Sequence, residues 1–185
     1  MGPILIAGGG IGGLTLAAAL QAMGREVLVF ERQDEVRDTG AGISLWPNAL
    51  GALDTIGLGD LIRSTGVALA SGGLMRPDGS RGTTFTEAAF RGALGDALVC
   101  VHRGELVAAL AARLGPGTIR TGCAVESYRH RPGGVDAVLR SGESVAGEAL
   151  VGADGINSAV AAQVAGPLRF RYSGYKAWRG IAPAE

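Results

Sequence analysis

The chain has 185 residues, with 17 Lys and Arg against 17 Asp and Glu, a formal net charge of +0, and 47% hydrophobic against 18% charged residues. That length supports one sizeable core, or one domain and the beginning of another, and the composition argues against disorder. Neutrality leaves no electrostatic basis for a nucleic-acid partner. The two cysteines, Cys100 and Cys123, lack metal-ligand spacing and are expected to be reduced core residues, so no metal is expected. Glycines interrupt the apolar N-terminus before it could act as a signal peptide, and no run is apolar enough to span a bilayer. A cytoplasmic protein is expected.

Apolar Pro3 to Ala7, ending in glycines, predicts a buried parallel strand. Ile11 to Met23 predicts a helix packed on a sheet and closed by Gly24, and Glu26 to Phe30 a second buried strand. Together they make one βαβ unit with a right-handed crossover. Pro47 to Leu53 and Leu58 to Ser64 read as short helices, the first with Pro47 near its first turn. Leu69 to Phe85 reads as strands around the Pro77-Asp78-Gly79 turn. Arg103 to Leu114, with Leu106, Val107, Leu110 and Leu114 at helical spacing, predicts an amphipathic helix. Thr118 to Val151 reads as an antiparallel meander broken at Pro132-Gly133-Gly134 and Ser141-Gly142, ending in apolar Ala149-Leu150-Val151. Asn157 to Val164 predicts a helix, and aromatic-rich Phe170 to Ile181 a strand that begins a new layer.

Gly8-Gly9-Gly10-Ile11-Gly12-Gly13 places Gly8-x-Gly10-x-x-Gly13 between the first strand and the first helix. Gly8 permits the tight turn, Gly10 lets the backbone approach a pyrophosphate, and Gly13 lets helix and strand pack closely. The phosphates would lie on the helix N-terminus, where free N–H groups and the dipole favour anions. Glu31 ends the second strand, about 20 residues on, where an acid accepts hydrogen bonds from a ribose diol and repels a 2′-phosphate. FAD or NAD is therefore expected there, and not NADP.

Four later segments add to this fingerprint: Gly40-Ala41-Gly42-Ile43-Ser44-Leu45-Trp46-Pro47-Asn48-Ala49, His102-Arg103-Gly104-Glu105-Leu106, Gly152-Ala153-Asp154-Gly155-Ile156-Asn157-Ser158, and Tyr172-Ser173-Gly174-Tyr175-Lys176-Ala177-Trp178-Arg179-Gly180. In this order they resemble the class A flavoprotein monooxygenases, the p-hydroxybenzoate hydroxylase superfamily, and especially its single-chain salicylate, nicotinate and urate hydroxylases. The resemblance runs over essentially the whole chain. It implies an α/β fold: a three-layer Rossmann-like FAD-binding domain with a β-meander, plus the first strand of a substrate-domain sheet. The expected boundaries are 1–165 for the FAD-binding domain, with an inserted segment at about 66–100, and 166–185 for the start of a substrate-binding domain.

The resemblance also implies roles. Gly8, Gly10, Ile11, Gly12 and Gly13 would hold the FAD pyrophosphate, Glu31 the adenosine ribose, and Arg32 would lie near the adenine. Ser44 would approach the flavin, Arg103 the phosphates or ribityl chain, and Val125 the adenine through its backbone. Asp154 would serve FAD and NADPH binding; it could also simply cap the helix that follows, and the two readings are not exclusive. Tyr175, Trp178 and Arg179 would line a substrate pocket. NADPH or NADH would pass a hydride to FAD, and the protein would hydroxylate a small aromatic or heteroaromatic ring with molecular oxygen, the cofactor carrying the chemistry. No nucleophile or general base is assigned, and His102 and His130 read as structural.

The family's usual Arg three residues after the Ser of the Asp-Gly motif is replaced by Ala161, which weakens the NADPH reading relative to FAD. The family's second Gly-Asp segment is absent before Glu185, so an incomplete, inactive chain is expected, with its missing C-terminal half or another copy as partner. The competing readings are another flavin oxidoreductase, such as a reductase or halogenase, and a non-catalytic module that binds a nucleotide or a partner chain.

Overall fold

A computed structural model describes residues 2–36, 40–167, 169–178 and 180. In chain order the first elements are β1 (Ile4–Ala7), α1 (Ile11–Ala22), β2 (Val27–Phe30), β3 (Gly42–Leu45), α2 (Pro47–Asp54), α3 (Gly59–Thr65), β4 (Val67–Ala68), β5 (Ser71–Met75) and β6 (Arg81–Thr86). They are followed by α4 (Glu87–Leu94), β7 (Val99–His102), α5 (Arg103–Ala111), β8 (Ile119–Arg120), β9 (Val125–Arg131), β10 (Gly134–Leu139), β11 (Ser144–Gly147), β12 (Ala149–Gly152) and α6 (Ala159–Ala165). The chain divides into two units: residues 1–38 with 107–179, and residues 39–106 with 180–185.

The first unit is built on a four-stranded parallel sheet in the order β12-β1-β2-β8. Leu5, Ile6 and Ala7 are all buried, because both faces of this sheet are covered and the strand has no solvent side. Ile6, Val27 and Val29 pack with Ala17, Leu16 and Leu20 of α1. Leu5, Ala7 and Phe30 point the other way, onto Val125, Ala137 and Leu139 of the antiparallel meander β11-β10-β9 and onto Val160 of α6. Helix, sheet and meander are the three layers expected. Two strands read from sequence as part of the meander instead join the parallel sheet. β12 pairs with β1, and β8 pairs with β2. Local pattern could not separate them, since short apolar runs look alike in parallel and antiparallel company.

The second unit carries the antiparallel sheet β3-β7-β4, the hairpin β5-β6, and helices α2 to α4. Its interior is Leu45, Leu50, Leu53, Leu58, Ile62, Leu98, Val99 and Val101. The Pro77-Asp78-Gly79 turn joins β5 to β6 as expected, with Gly79 at φ 82° and the Ser80 N–H donating to Asp78 Oδ1 at 2.8 Å. Cys100 and Cys123 are free and half-buried.

Two expectations are corrected. Helix α5 ends at Ala111, short of Leu114, because the Arg113 and Leu114 N–H groups bond to carbonyls three residues back and Gly115-Pro116-Gly117 follows. The strand expected over Phe170 to Ile181 is irregular chain at 169–178, with Phe170, Tyr172, Tyr175 and Trp178 exposed. A strand forms only where a neighbour satisfies its N–H and C=O groups, and no strand among the described residues pairs with this segment.

Candidate functional site

The glycine turn sits at the end of β1. Gly8 takes φ 106°, and its N–H donates to Phe30 O at 2.8 Å, which locks the turn onto β2. A Cβ on Gly8 would overlap Ala153 O and lie 3.0 Å from Asp154 Cα; a Cβ on Gly13 would overlap Gly8 O. Both positions are therefore closed to any side chain by backbone. Gly10 and Gly12 differ: a Cβ there would meet nothing within 4 Å. The space beside them is open, and it opens onto the first turn of α1, where Gly10 is the N-cap with no side-chain cap bond and no acid stands in the first turn. Bare amides and the positive end of a twelve-residue helix thus face an uncrowded space, which suits a phosphate. Ile11 begins that helix, half-buried.

Glu31 follows β2 directly. Its Oε2 accepts the Gly9 N–H at 2.8 Å and its Oε1 accepts the Gln33 N–H at 2.8 Å. The carboxylate is clamped against the turn with both oxygens oriented, and each retains lone-pair capacity for a diol. Arg32, next to it, is exposed. The chain at Gly122 and Cys123 donates backbone N–H groups to Gln33 O and Glu31 O, at 2.7 and 2.8 Å. Those bonds bring the start of β9 to the same edge. Val125 stands there with its side chain in the core, paired in register with Leu139 of β10. These residues fit a dinucleotide: open glycines, helix amides and a pre-oriented carboxylate in one unit.

Asp154 is used as a cap. Its Oδ1 accepts from Ser158 Oγ, and its Oδ2 accepts the Ala159 N–H at 2.7 Å. Ser158 Oγ in turn accepts the Ala161 N–H at 2.9 Å. Each carboxylate oxygen thereby accepts a bond at the start of α6, so the capping reading is realised, and it does not exclude a cofactor contact.

In the second unit, Ser44 lies on the exposed face of β3, opposite Cys100, with Oγ and Sγ 3.5 Å apart. Arg103 opens α5 immediately after β7, half-buried, with its N–H donating to Ala41 O at 3.1 Å. Tyr175 and Trp178 are 73% and 95% exposed, on the irregular segment. Arg179 lies outside the described residues.

Several side-chain interactions were not read from sequence. Arg63 bonds Asp54 in two places, at 2.6 and 2.8 Å, and reaches Asp96 at 2.9 Å. Its guanidinium holds both carboxyls below the usual carboxylate range. Arg120 makes a two-pronged pair with Glu143, at 2.9 and 2.6 Å, that lowers the Glu143 pKa, and lies over the Phe30 ring at 5.5 Å. Gln163 donates to Tyr128 O and accepts from Tyr128 N–H, at 2.7 and 2.9 Å, closing the outer edge of β9 as a strand would. These contacts join residues 9 to 90 apart, and spacing alone carries no sign of them. Among the described residues, no group of His, Cys, Asp and Glu could hold a metal, and no helix is long and apolar enough to cross a membrane.

A family model described as an FAD binding domain matches residues 1–177. Aurachin C monooxygenase/isomerase of Stigmatella aurantiaca is 38% identical over 178 residues, 96% of this chain and 46% of that protein. 3-Hydroxybenzoate 6-hydroxylase 1 of Aquipseudomonas alcaligenes is 37% identical over 189 residues, 98% of this chain and 48% of that protein. The structure of Klebsiella pneumoniae HpxO complexed with FAD and uric acid matches with a TM-score of 0.76 at 29% identity, over 87% of this chain and 41% of that one. The chain spans about half the length of the curated relatives it matches.

Proposed function

Because this chain belongs to the FAD binding domain family, we propose that the protein carrying it is an FAD-dependent monooxygenase that uses NADPH or NADH and molecular oxygen to hydroxylate a small aromatic or heteroaromatic ring. The relatives support the reaction class, since their names describe hydroxylation of 3-hydroxybenzoate and an aurachin monooxygenase, and HpxO was seen with uric acid. The observation that carries the reading is the Glu31 carboxylate, fixed by the Gly9 and Gln33 amides beside the open Gly10 and Gly12.

In this proposal the bound flavin supplies hydride acceptance and oxygen activation. The chain's own residues bind and orient. The α1 amides at Gly10, Ile11, Gly12 and Gly13 neutralise the diphosphate without side chains in the way. Glu31 accepts from the ribose hydroxyls, Val125 offers its backbone to the adenine, and Arg32 lies alongside. Ser44 is assigned to the flavin end, and Arg103 to the phosphates or ribityl chain. Asp154 shapes the turn after β12 by capping α6, and any cofactor contact it makes is additional to that work. Tyr175, Trp178 and Arg179 are assigned to the substrate. Residues 1–165 are the FAD-binding domain in this proposal, and 166–185 begin the substrate-binding domain. A cytoplasmic location follows from the reliance on intracellular NAD(P)H.

The test is spectroscopic. The protein should take up FAD with a shifted visible spectrum, and NADPH should bleach it faster in the presence of an aromatic acid. A protein that takes up no FAD overturns the proposal.

A further inference from the structure

The first N–H groups of a helix have no acceptors within it. At α5 two of them are satisfied from outside. The Arg103 N–H donates to Ala41 O, and the Gly104 N–H donates to Nδ1 of His102 at 3.1 Å. His102 ends β7 and pairs in register with Gly42 of β3. The imidazole thus stands where Ser, Thr, Asp or Asn ordinarily cap a helix. To accept there, Nδ1 must carry no proton, which places the ring proton on Nε2. An Arg at the first position of a helix gains nothing from the dipole, so the two external acceptors hold this first turn in place.

We propose that His102 is a positioning residue: it caps α5 through Nδ1 and so fixes the backbone from which Arg103 reaches FAD. The inference rests on the cofactor role assigned to Arg103 above. It predicts that the imidazole acts only through its neighbour. His102→Ala loses the cap, the first turn frays, and Arg103 spends less time in its binding geometry. His102→Asn supplies a carbonyl oxygen to the same N–H and restores it.

The experiment is a titration of FAD by quenching of flavin fluorescence, on the wild-type protein and on His102→Ala, His102→Asn, Arg103→Ala and the His102→Ala/Arg103→Ala double variant. His102→Ala should bind about fivefold more weakly, the size expected for one lost cap, and His102→Asn should fall within about twofold of wild type. The double variant should bind no more weakly than Arg103→Ala alone. The inference is overturned if His102→Ala binds as wild type does, if Asn fails to rescue, or if the His102 effect persists in full without Arg103. Amide exchange at Gly104 identifies the failing step: an opened cap with intact affinity overturns positioning alone. A wild-type protein without FAD uptake, or an Arg103→Ala variant that binds normally, overturns the cofactor role of Arg103 and this inference with it.

Discussion

Gly12→Ala separates the demands of the fold from those of the ligand. A Cβ at Gly12 meets no atom within 4 Å, and the residue lies in the first turn of α1 with no positive φ. Replacing a helical Gly by Ala stabilises by up to about 1 kcal/mol, which for a protein of this size raises Tm by about 2–4 °C. The same methyl group enters the space assigned to the diphosphate, so FAD affinity should fall at least tenfold, about 1.4 kcal/mol. Gly13→Ala is the contrasting perturbation. Its Cβ overlaps Gly8 O and lies 3.2 Å from the Gly8 carbonyl carbon, so backbone must move in a close-packed layer. That costs about 3 kcal/mol, or about 6–12 °C of Tm. Differential scanning fluorimetry with and without FAD measures both. A Gly12→Ala protein that is stabilised and binds FAD as the wild type does would refute the placement of the phosphates. A Gly13→Ala protein as stable as wild type would refute the packing argument.

Glu31→Gln leaves an amide whose NH2 faces a backbone N–H, so one of the two clamping bonds is lost; FAD affinity should drop about tenfold, the cost of one misplaced polar contact, read by fluorescence titration. Asp154→Ala removes the acceptor for Ser158 Oγ and the Ala159 N–H and should destabilise by about 1–2 kcal/mol, read by thermal unfolding; an unchanged Tm would refute the cap. The cluster formed by Arg63 with Asp54 and Asp96 lowers both carboxyl pKa values below their ordinary 3.8. A lowered folded pKa gives stability that is fully present above the unfolded value and lost as pH falls through the folded one. The wild type should therefore lose stability below about pH 4, and Arg63→Met should lose less over the same range; parallel acid-unfolding curves would refute the ion cluster.

The sequence by itself determined the βαβ unit, the glycine turn and the acid at the end of β2. Each is a local matter: apolar runs of strand length, residues with no Cβ at a bend, and a fixed count from the turn to Glu31. It also carried the family, because ordered short motifs survive in the linear chain. Tertiary structure decided what depends on distant partners. Strands β8 and β12 went to the parallel sheet because β2 and β1 offered open edges. Distinct roles for Gly8, Gly10 and Gly13 were legible from their places in the motif, but only the folded turn showed which backbone atoms bar Gly8 and Gly13 and that Gly12 is open as Gly10 is. That Asp154 caps the start of α6 was one of two compatible readings of the letters, and only the folded turn showed its oxygens accepting there. The clamp of Arg63 and the edge-closing Gln163 had no linear signature. A hydrogen bond depends on where two groups arrive, and for side chains far apart in sequence that is settled only when the layers pack.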